Sequence, residues 1–184
     1  MPIKIETDRL FLRDVEASDL ADYIDYMTPE YYWRDIPIEP QTPDIVGRLV
    51  GEFVGSQSQD PRKDYYFSVI DKHSEEFIGS CGLRIRSVAS RQAEIGYGVA
   101  ARHAGNGFAT ETGRALLRFA FGPVKLHRVY AQCRVENTAS RRVMIKLGMQ
   151  EEGVFRDCVQ ARGEWWSSAQ YAMLSTDQVA VFAA

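Results

Sequence analysis

Apolar and charged residues largely alternate in the segment RLFLRD, residues 9–14, and this pattern predicts a strand with one buried face. Three more strands are predicted close together at residues 65–71, 77–87 and 91–100, with a tight turn at 73–76 joining the first two into a hairpin. Rich content of β-branched and aromatic residues predicts a later strand at residues 127–135. Two closing strands are predicted at residues 149–159 and 164–174.

Apolar residues recur every three or four positions in four other segments, which predict helices. The first helix runs to Tyr26 from a cap supplied by Ser18 or Asp14. The second covers residues 44–55 with one apolar stripe, formed by Ile45, Val46, Leu49, Val50 and Phe53. The third follows Gly107 and ends near Gly122-Pro123, and the fourth covers residues 137–147 with Gly148 as its stop signal.

The order of these elements is β, α, α, β, β, β, α, β, α, β, β, with a loop rich in proline and aromatic residues at 28–43. This order predicts a mixed α/β (α+β) fold in which one mainly antiparallel sheet of about seven strands is flanked by about four helices. A simple βαβ alternation is absent from the predicted order, which disfavours a doubly wound nucleotide-binding fold.

Length and composition add limits on partners. The 184 residues with 45% hydrophobic content fit one domain, residues 1–184, with one sizeable core. A net charge of −3 and a pI near 5.7 argue against a nucleic-acid partner. The charged N-terminus and the lack of any apolar run of roughly 20 residues predict no membrane partner and a cytoplasmic protein.

Cys81, Cys133 and Cys158 are widely spaced and lie in predicted strands, so we expect buried free thiols in a reducing compartment. The three histidines are scattered. No metal site is expected from this set.

The segment ARHAGNGFATE joins a predicted strand to a predicted helix through Gly105-Asn106-Gly107. A helix N-terminus presents unpaired N–H groups and a positive dipole end, and glycine lets an anion approach the backbone. Arg102 adds a cation nearby. A tight turn with demanding backbone geometry is the alternative explanation, since glycine pairs are common in turns.

Two phosphate-binding motifs do not fit this segment. A P-loop requires a lysine that is missing, and a dinucleotide fingerprint requires Gly or Ala where the chain has Thr110. The pattern R/Q-x-x-G-x-G/A is satisfied in full by residues 102–107.

With that pattern, the segments ETDRLFLRDVEASDL, EIGYGVAARHAGNGFATE and VENTASRRVMIKLGM resemble the GNAT acetyltransferase superfamily, in its branch of ribosomal-protein N-terminal acetyltransferases. The resemblance implies acetyl-CoA as co-substrate. It also implies transfer of the acetyl group to a primary amine, on a protein N-terminus or a small molecule, by direct attack in a ternary complex. A non-catalytic acyl-CoA-binding module is the alternative, and a nicotinamide or flavin enzyme is a weaker one.

The same resemblance assigns roles to individual residues. Ser140 would contact or protonate the departing sulfur, and Glu94 would accept the ammonium proton through water, although a solvent-facing glutamate is an equally good interpretation. Two other catalytic positions of relatives hold Met144 and Gln132 here. The cofactor would be bound by the backbone or side chains of Tyr97, Gly98, Val99, Arg102, His103, Ala104, Gly105, Asn106, Gly107, Phe108 and Asn137.

Asn137 is also a favourable helix N-cap on structural grounds alone. Aromatic residues at 31–33 and 165–166 either line an acceptor pocket or cover the edge of the core. Terminal strands that are exposed could pair between chains, so a homodimer is a further expectation.

Overall fold

Eight strands form one open sheet in the computed structural model of the chain, which describes residues 2–177. The strands are Lys4–Glu6 (β1), Leu10–Asp14 (β2), Asp64–Asp71 (β3), Phe77–Ser87 (β4), Gln92–Val99 (β5), Arg128–Arg134 (β6), Gln150–Ala161 (β7) and Glu164–Leu174 (β8). Their order across the sheet is β1-β2-β3-β4-β5-β6-β8-β7. Neighbouring strands are antiparallel except β5 and β6, which are parallel.

Within the described residues, five α-helices connect the strands: Leu20–Met27 (α1), Glu30–Trp33 (α2), Pro43–Ser56 (α3), Phe108–Phe121 (α4) and Thr138–Lys146 (α5). Helix α3 begins one residue before its predicted start, because Thr42 caps it by accepting a hydrogen bond from the Ile45 N–H and Pro43 occupies the first turn. Single 3-10 turns precede α1 at Ala17–Asp19 and follow β5 at Ala101–His103.

The predicted fold class is confirmed, and the structure adds two short elements. Strand β1 has three residues, too few for an alternating pattern to be recognised. Helix α2 is a single turn within the segment that was predicted as a loop.

The sheet is covered on both faces. Adjacent residues Tyr66 and Phe67 on β3 belong to different apolar clusters, as the period of a strand requires. The larger cluster packs the sheet against α4 and α5 through residues such as Leu116 and Met144. The smaller one packs the other face against α1 and α3 through residues such as Tyr23, and it covers less of the sheet.

All three cysteines are free, as predicted, but they differ in burial. Cys81 is buried in β4, Cys133 is half-buried in β6, and Cys158 is exposed. The prediction of a buried thiol was wrong for Cys158, because β7 is the edge strand of the sheet and most of its side chains face solvent.

Candidate active site

The strands β5 and β6 separate after a short parallel contact. They pair only at Gln92–Arg128, Ala93–Val129 and Glu94–Tyr130. Beyond that point β5 continues to pair with β4 as far as Val99, and β6 continues with β8 as far as Arg134. Among residues 2–177, the edge of β5 that faces β6 therefore has no strand partner from Ile95 to Val99, and a peptide-like chain could add to it through backbone hydrogen bonds. We call this gap the splay.

Gly98 lies on the open edge of β5, where a side chain would be excluded. A Cβ at this position would overlap with the hydroxyl of Tyr26, which reaches over from α1. Tyr26 is buried and its ring packs 4.8 Å from that of Tyr32. Tyr26 therefore covers one face of the sheet at the predicted cofactor-binding segment Tyr97, Gly98 and Val99.

The chain leaves β5 through the turn that carries the two glycines. Gly105 has a φ of +83° and Gly107 a φ of +81°, both in the left-handed region that glycine adopts at little cost. Gly107 is the N-cap residue of α4, where no side chain caps the helix. Its position therefore leaves the helix N-terminus open to an external acceptor.

The amides of this turn divide into two groups. Those of His103 and Ala104 donate to the carbonyls of Ala100 and Ala101 within the 3-10 turn, so the prediction that they face a pyrophosphate is corrected. Those of residues 105–108 have no acceptor within residues 2–177. Four consecutive donors at a helix N-terminus match the chemistry of an anion site.

Arg102 reaches a different place from the one predicted. Its guanidinium donates to the carbonyl of Phe77, 3.2 Å away at the start of β4. The residue also lines a pocket of about 190 Å³ together with Asp25, Tyr26 and Tyr31. A larger, open pocket of about 400 Å³ lies at Asp14 on β2, three strands away from β5.

Two residues that sequence reasoning missed support the glycine turn. Glu111, in the first turn of α4, accepts hydrogen bonds from the Thr7 hydroxyl at 2.6 Å and from the Arg9 amide at 2.9 Å. The Arg9 guanidinium also binds Glu111, donates to the Asn106 carbonyl at 3.1 Å and lies 4.5 Å from the centre of the Phe108 ring. Both residues belong to segments that resemble the GNAT superfamily, which was the available signal.

Burial alone would raise the pKa of Glu111. The hydrogen bonds from Thr7 and Arg9 outweigh that effect and hold the pKa below its usual value of 4.5. Glu111 is therefore a carboxylate at neutral pH, and it connects the turn between β1 and β2 to the start of α4.

The N-terminus of α5, which follows β6, lies beside the splay. Asn137 caps the helix, since its side-chain oxygen accepts from the Ser140 N–H at 2.9 Å. Ser140 is half-buried one turn along. Met144, which occupies the position of a catalytic tyrosine in many relatives, is fully buried in the larger core and offers no acidic proton.

Tyr97 faces α4 and α5, and its hydroxyl oxygen is buried without a hydrogen-bond partner of normal geometry among residues 2–177. Burial raises the pKa of this phenol, and the nearby Ser140 hydroxyl offsets part of the increase. The Cys133 thiol lies near the same two groups, and burial raises its pKa.

Glu94 lies at the last paired position before the splay, on the face opposite to Tyr97. Its carboxylate accepts hydrogen bonds from Arg84 at 3.3 Å and from Arg86 at 2.9 Å. Each oxygen of the Glu94 carboxylate therefore already accepts a hydrogen bond from a guanidinium. Gln132, where relatives place another base, donates to the Gln170 side chain at 2.8 Å.

The aromatic residues predicted near the acceptor divide into covered and exposed ones. Arg162 lies 5.4 Å from the Trp33 ring centre and 4.5 Å from that of Trp166, and its guanidinium donates to the carbonyls of Arg34, Ile36 and Ile38. Trp166 is buried by this contact. Tyr31 and Trp165 are exposed, at 44% and 62%.

Within residues 2–177, an open sheet with a splayed pair of strands leads into a set of unpaired amides at a helix N-terminus, an arrangement suited to an elongated ligand that carries a phosphate. The chain belongs to the acetyltransferase (GNAT) domain family, whose match covers residues 9–150. It is accordingly an acetyl-CoA-dependent acyltransferase, which argues against a nicotinamide or flavin enzyme.

Relatives with names agree with this assignment. The chain is 30% identical over 171 residues to the uncharacterized N-acetyltransferase p20 of Bacillus licheniformis, covering 93% of this chain and 96% of that protein. It is 24% identical over 186 residues to the ribosomal protein uS5-alanine N-acetyltransferase of Escherichia coli (strain K12), covering 95% and 92%. The predicted resemblance to the branch of ribosomal-protein acetyltransferases is confirmed.

A solved structure shows the same fold. Spermidine N-acetyltransferase from Vibrio cholerae, in complex with CoA and spermine, superposes with a TM-score of 0.82 at 22% identity, covering 94% of this chain and 99% of that one. Among residues 2–177, no helix combines the length and apolar character needed to cross a membrane.

Proposed function

We propose that the protein transfers an acetyl group from acetyl-CoA to a primary amine, by direct attack of the amine in a ternary complex. The observation that carries the proposal is the continuity between the open edge of β5 and the four unpartnered amides of residues 105–108. A pantetheine arm would pair with the open edge of β5 as an added strand, and a pyrophosphate would accept hydrogen bonds from the amides.

The residues present fit acetyl-CoA. Gly105 leaves open space where a Cβ would stand, and Gly107 is approached at a hypothetical Cβ only by the Arg9 guanidinium, at 3.5 Å. Tyr97, Gly98 and Val99 would bind the arm through their backbone, with an amide near Val99 facing the thioester carbonyl. Asn137 would use its side-chain N–H₂ for the arm, because its oxygen already caps α5.

At the reacting end, Ser140 would donate a hydrogen bond to the departing sulfur. The attacking amine must be neutral. Since Arg84 and Arg86 occupy the Glu94 carboxylate, we propose that the amine loses its proton to water before it binds, and the base role of Glu94 stays a prediction.

The acceptor is an amine on a protein N-terminus or on a small molecule. The named relatives include a ribosomal-protein alanine acetyltransferase and a spermidine acetyltransferase, so both classes are compatible with the fold. We further propose one domain over residues 1–184, a cytoplasmic location, no metal requirement and neither a nucleic-acid nor a membrane partner.

A homodimer would use the edge strand β7, where Val154 and Phe155 are each 47% exposed. Light scattering of the wild type and of Phe155→Asp tests this association. A monomeric wild type would remove the dimer from the proposal.

The activity is tested with the purified protein, acetyl-CoA and a panel of amines that includes peptides with free N-termini and polyamines, while the release of free thiol is followed. Turnover with at least one amine is the expected result. Tight binding of CoA without turnover on any amine would favour a non-catalytic acyl-CoA-binding module, an alternative that the buried Met144 and the engaged Gln132 keep open.

A further inference from the structure

The buried hydroxyl of Tyr97 has no hydrogen-bond partner of normal geometry within residues 2–177. Buried polar groups in native proteins are nearly always paired, so an unpaired one indicates a partner that joins later, such as a ligand or a water molecule. The rest of the side chain is well packed against the larger core, which fixes where the hydroxyl can point.

The position of Tyr97 narrows the choice of partner. The residue lies three positions beyond Glu94, the last point at which β5 pairs with β6, so it stands inside the splay. Its hydroxyl lies near the Ser140 hydroxyl from the first turn of α5 and near the Cys133 thiol from β6. Side chains from both separated strands and from α5 therefore meet where the proposed thioester arm would end.

We infer that the Tyr97 and Ser140 hydroxyls together donate hydrogen bonds to the sulfur that leaves during acetyl transfer, an inference that rests on the function proposed above. The amine nitrogen forms a bond to the thioester carbonyl carbon, the carbon–sulfur bond breaks, and its electron pair stays on sulfur. The proton lost by the attacking nitrogen goes to water. Two donors stabilise the charge that develops on the sulfur, and neither hydroxyl needs to lose its proton.

The chemistry of Tyr97 suits a donor. Burial raises the pKa of its phenol, so the hydroxyl keeps its proton throughout the range in which the enzyme would work. Cys133 is a poorer donor, since a thiol forms weak hydrogen bonds.

The direct test is Tyr97→Phe, which removes the hydroxyl and keeps the ring. We expect kcat to fall about 10- to 100-fold while KM for acetyl-CoA changes less than about threefold, because the lost hydrogen bonds are strongest in the transition state. The thermal midpoint should change little, since the deleted hydroxyl makes no hydrogen bond of normal geometry within residues 2–177. Tyr65→Phe, which removes a hydroxyl from the same core face at β3, is the matched control and should leave kcat unchanged.

Binding measurements separate this inference from the proposed function. We expect the wild type to bind CoA more tightly than desulfo-CoA, with a preference that grows from pH 7 to pH 9 as the thiolate forms. Tyr97→Phe should reduce that preference about tenfold. If neither compound binds, the proposed function fails. If both bind equally to the wild type, or Tyr97→Phe keeps the wild-type preference and kcat, the role of Tyr97 is excluded while acetyl transfer stands.

Cooperation between the two donors is tested by combining Tyr97→Phe with Ser140→Ala. Groups that act on one atom give non-additive losses, so the double variant should lose less than the product of the two single losses in kcat. Independent, multiplicative losses would show that the two hydroxyls do not share the sulfur.

Discussion

The two ends of the proposed acetyl-CoA site are built from different parts of the protein. At the glycine turn, the amides of residues 105–108 have no acceptor within residues 2–177, and the side chains of Arg9 and Glu111 support the turn through hydrogen bonds. At the splay, the backbone provides an open edge, and a few side chains, Tyr97 and Ser140 among them, provide the polar atoms. Under the proposed function the difference separates two tasks, since the turn would bind the phosphate end of the cofactor and the polar side chains of the splay would act at the reacting end.

This separation predicts which kinetic constant each substitution changes. Changes at the turn should raise KM for acetyl-CoA and leave kcat nearly unchanged, because they remove binding that is equal in the ground and transition states. Removal of the Tyr97 or Ser140 hydroxyl at the splay should act mainly on kcat, whereas changes to Asn137, which would bind the cofactor arm, should act on KM. A substitution that changed kcat and KM by equal factors would contradict this division between binding and chemistry.

The largest effect is expected for Gly107→Val. A branched side chain at the N-cap of α4 would block the approach of a phosphate to the amides, and KM for acetyl-CoA should rise about 10- to 100-fold. Because Gly107 has a φ of +81°, the variant should also lose about 1–3 kcal/mol of stability through backbone strain.

Gly163→Val is the matched control for that strain. Gly163 has the same φ of +81°, open space around a Cβ and a position in the β7–β8 turn, away from the glycine turn. Steady-state kinetics and thermal unfolding of both variants separate the two effects. If Gly163→Val raises KM as much as Gly107→Val, strain rather than blocked amides accounts for the change.

Asn137 is expected to give the next effect, and two substitutions divide its roles. Asn137→Ala should lose about 1 kcal/mol of stability with the helix cap. Asn137→Asp keeps the capping oxygen but loses the N–H₂ donor, so its stability should be near that of the wild type while KM for acetyl-CoA rises about tenfold. An unchanged KM in Asn137→Asp would leave the residue with the capping role alone.

Glu111→Gln should have a moderate effect on stability with a defined pH dependence. The folded protein holds the pKa of Glu111 below 4.5, so the stabilisation is complete above that pH and is lost as the pH falls through the folded pKa. Since Arg9 is partly exposed, we expect a loss of about 1 kcal/mol at pH 7 that shrinks below about pH 4.5. Denaturant unfolding across pH 3–7 checks this, and a loss that is constant with pH would contradict it.

The smallest effect is expected for Glu94→Gln. Two guanidinium groups already bind this carboxylate, so we expect kcat to change less than about threefold and the pH profile to keep its acidic limb. A fall of about 100-fold together with the loss of that limb would identify Glu94 as the base.

Most of the fold could be predicted from the sequence because its strands and helices carry clear periodicity. The alternation in β2 and the stripe on α3 correspond to their buried faces, as Leu10, Leu12, Val46 and Val50 show. Short elements escaped prediction, since β1 and α2 contain too few residues for a period to repeat.

The site was less predictable than the fold, because side-chain direction depends on contacts between distant segments. The glycine turn was recognised because its signal lies in a short stretch of sequence, and both of its glycines have positive φ in the structure. The ion pair of Glu94 with Arg84 and Arg86, the contact of Arg102 with Phe77 and the support of the turn by Arg9 all join residues whose register only the folded sheet defines.

The contact made by Arg162 ties the tip of the β7–β8 hairpin to the segment that follows α2. One guanidinium donates hydrogen bonds to three carbonyls of that segment and contacts the rings of Trp33 and Trp166. Two stretches that lie more than a hundred residues apart in the sequence therefore form a single unit. A chimaera that imports residues 28–43 from a relative, in order to change which amine is accepted, would have to import the hairpin tip with them.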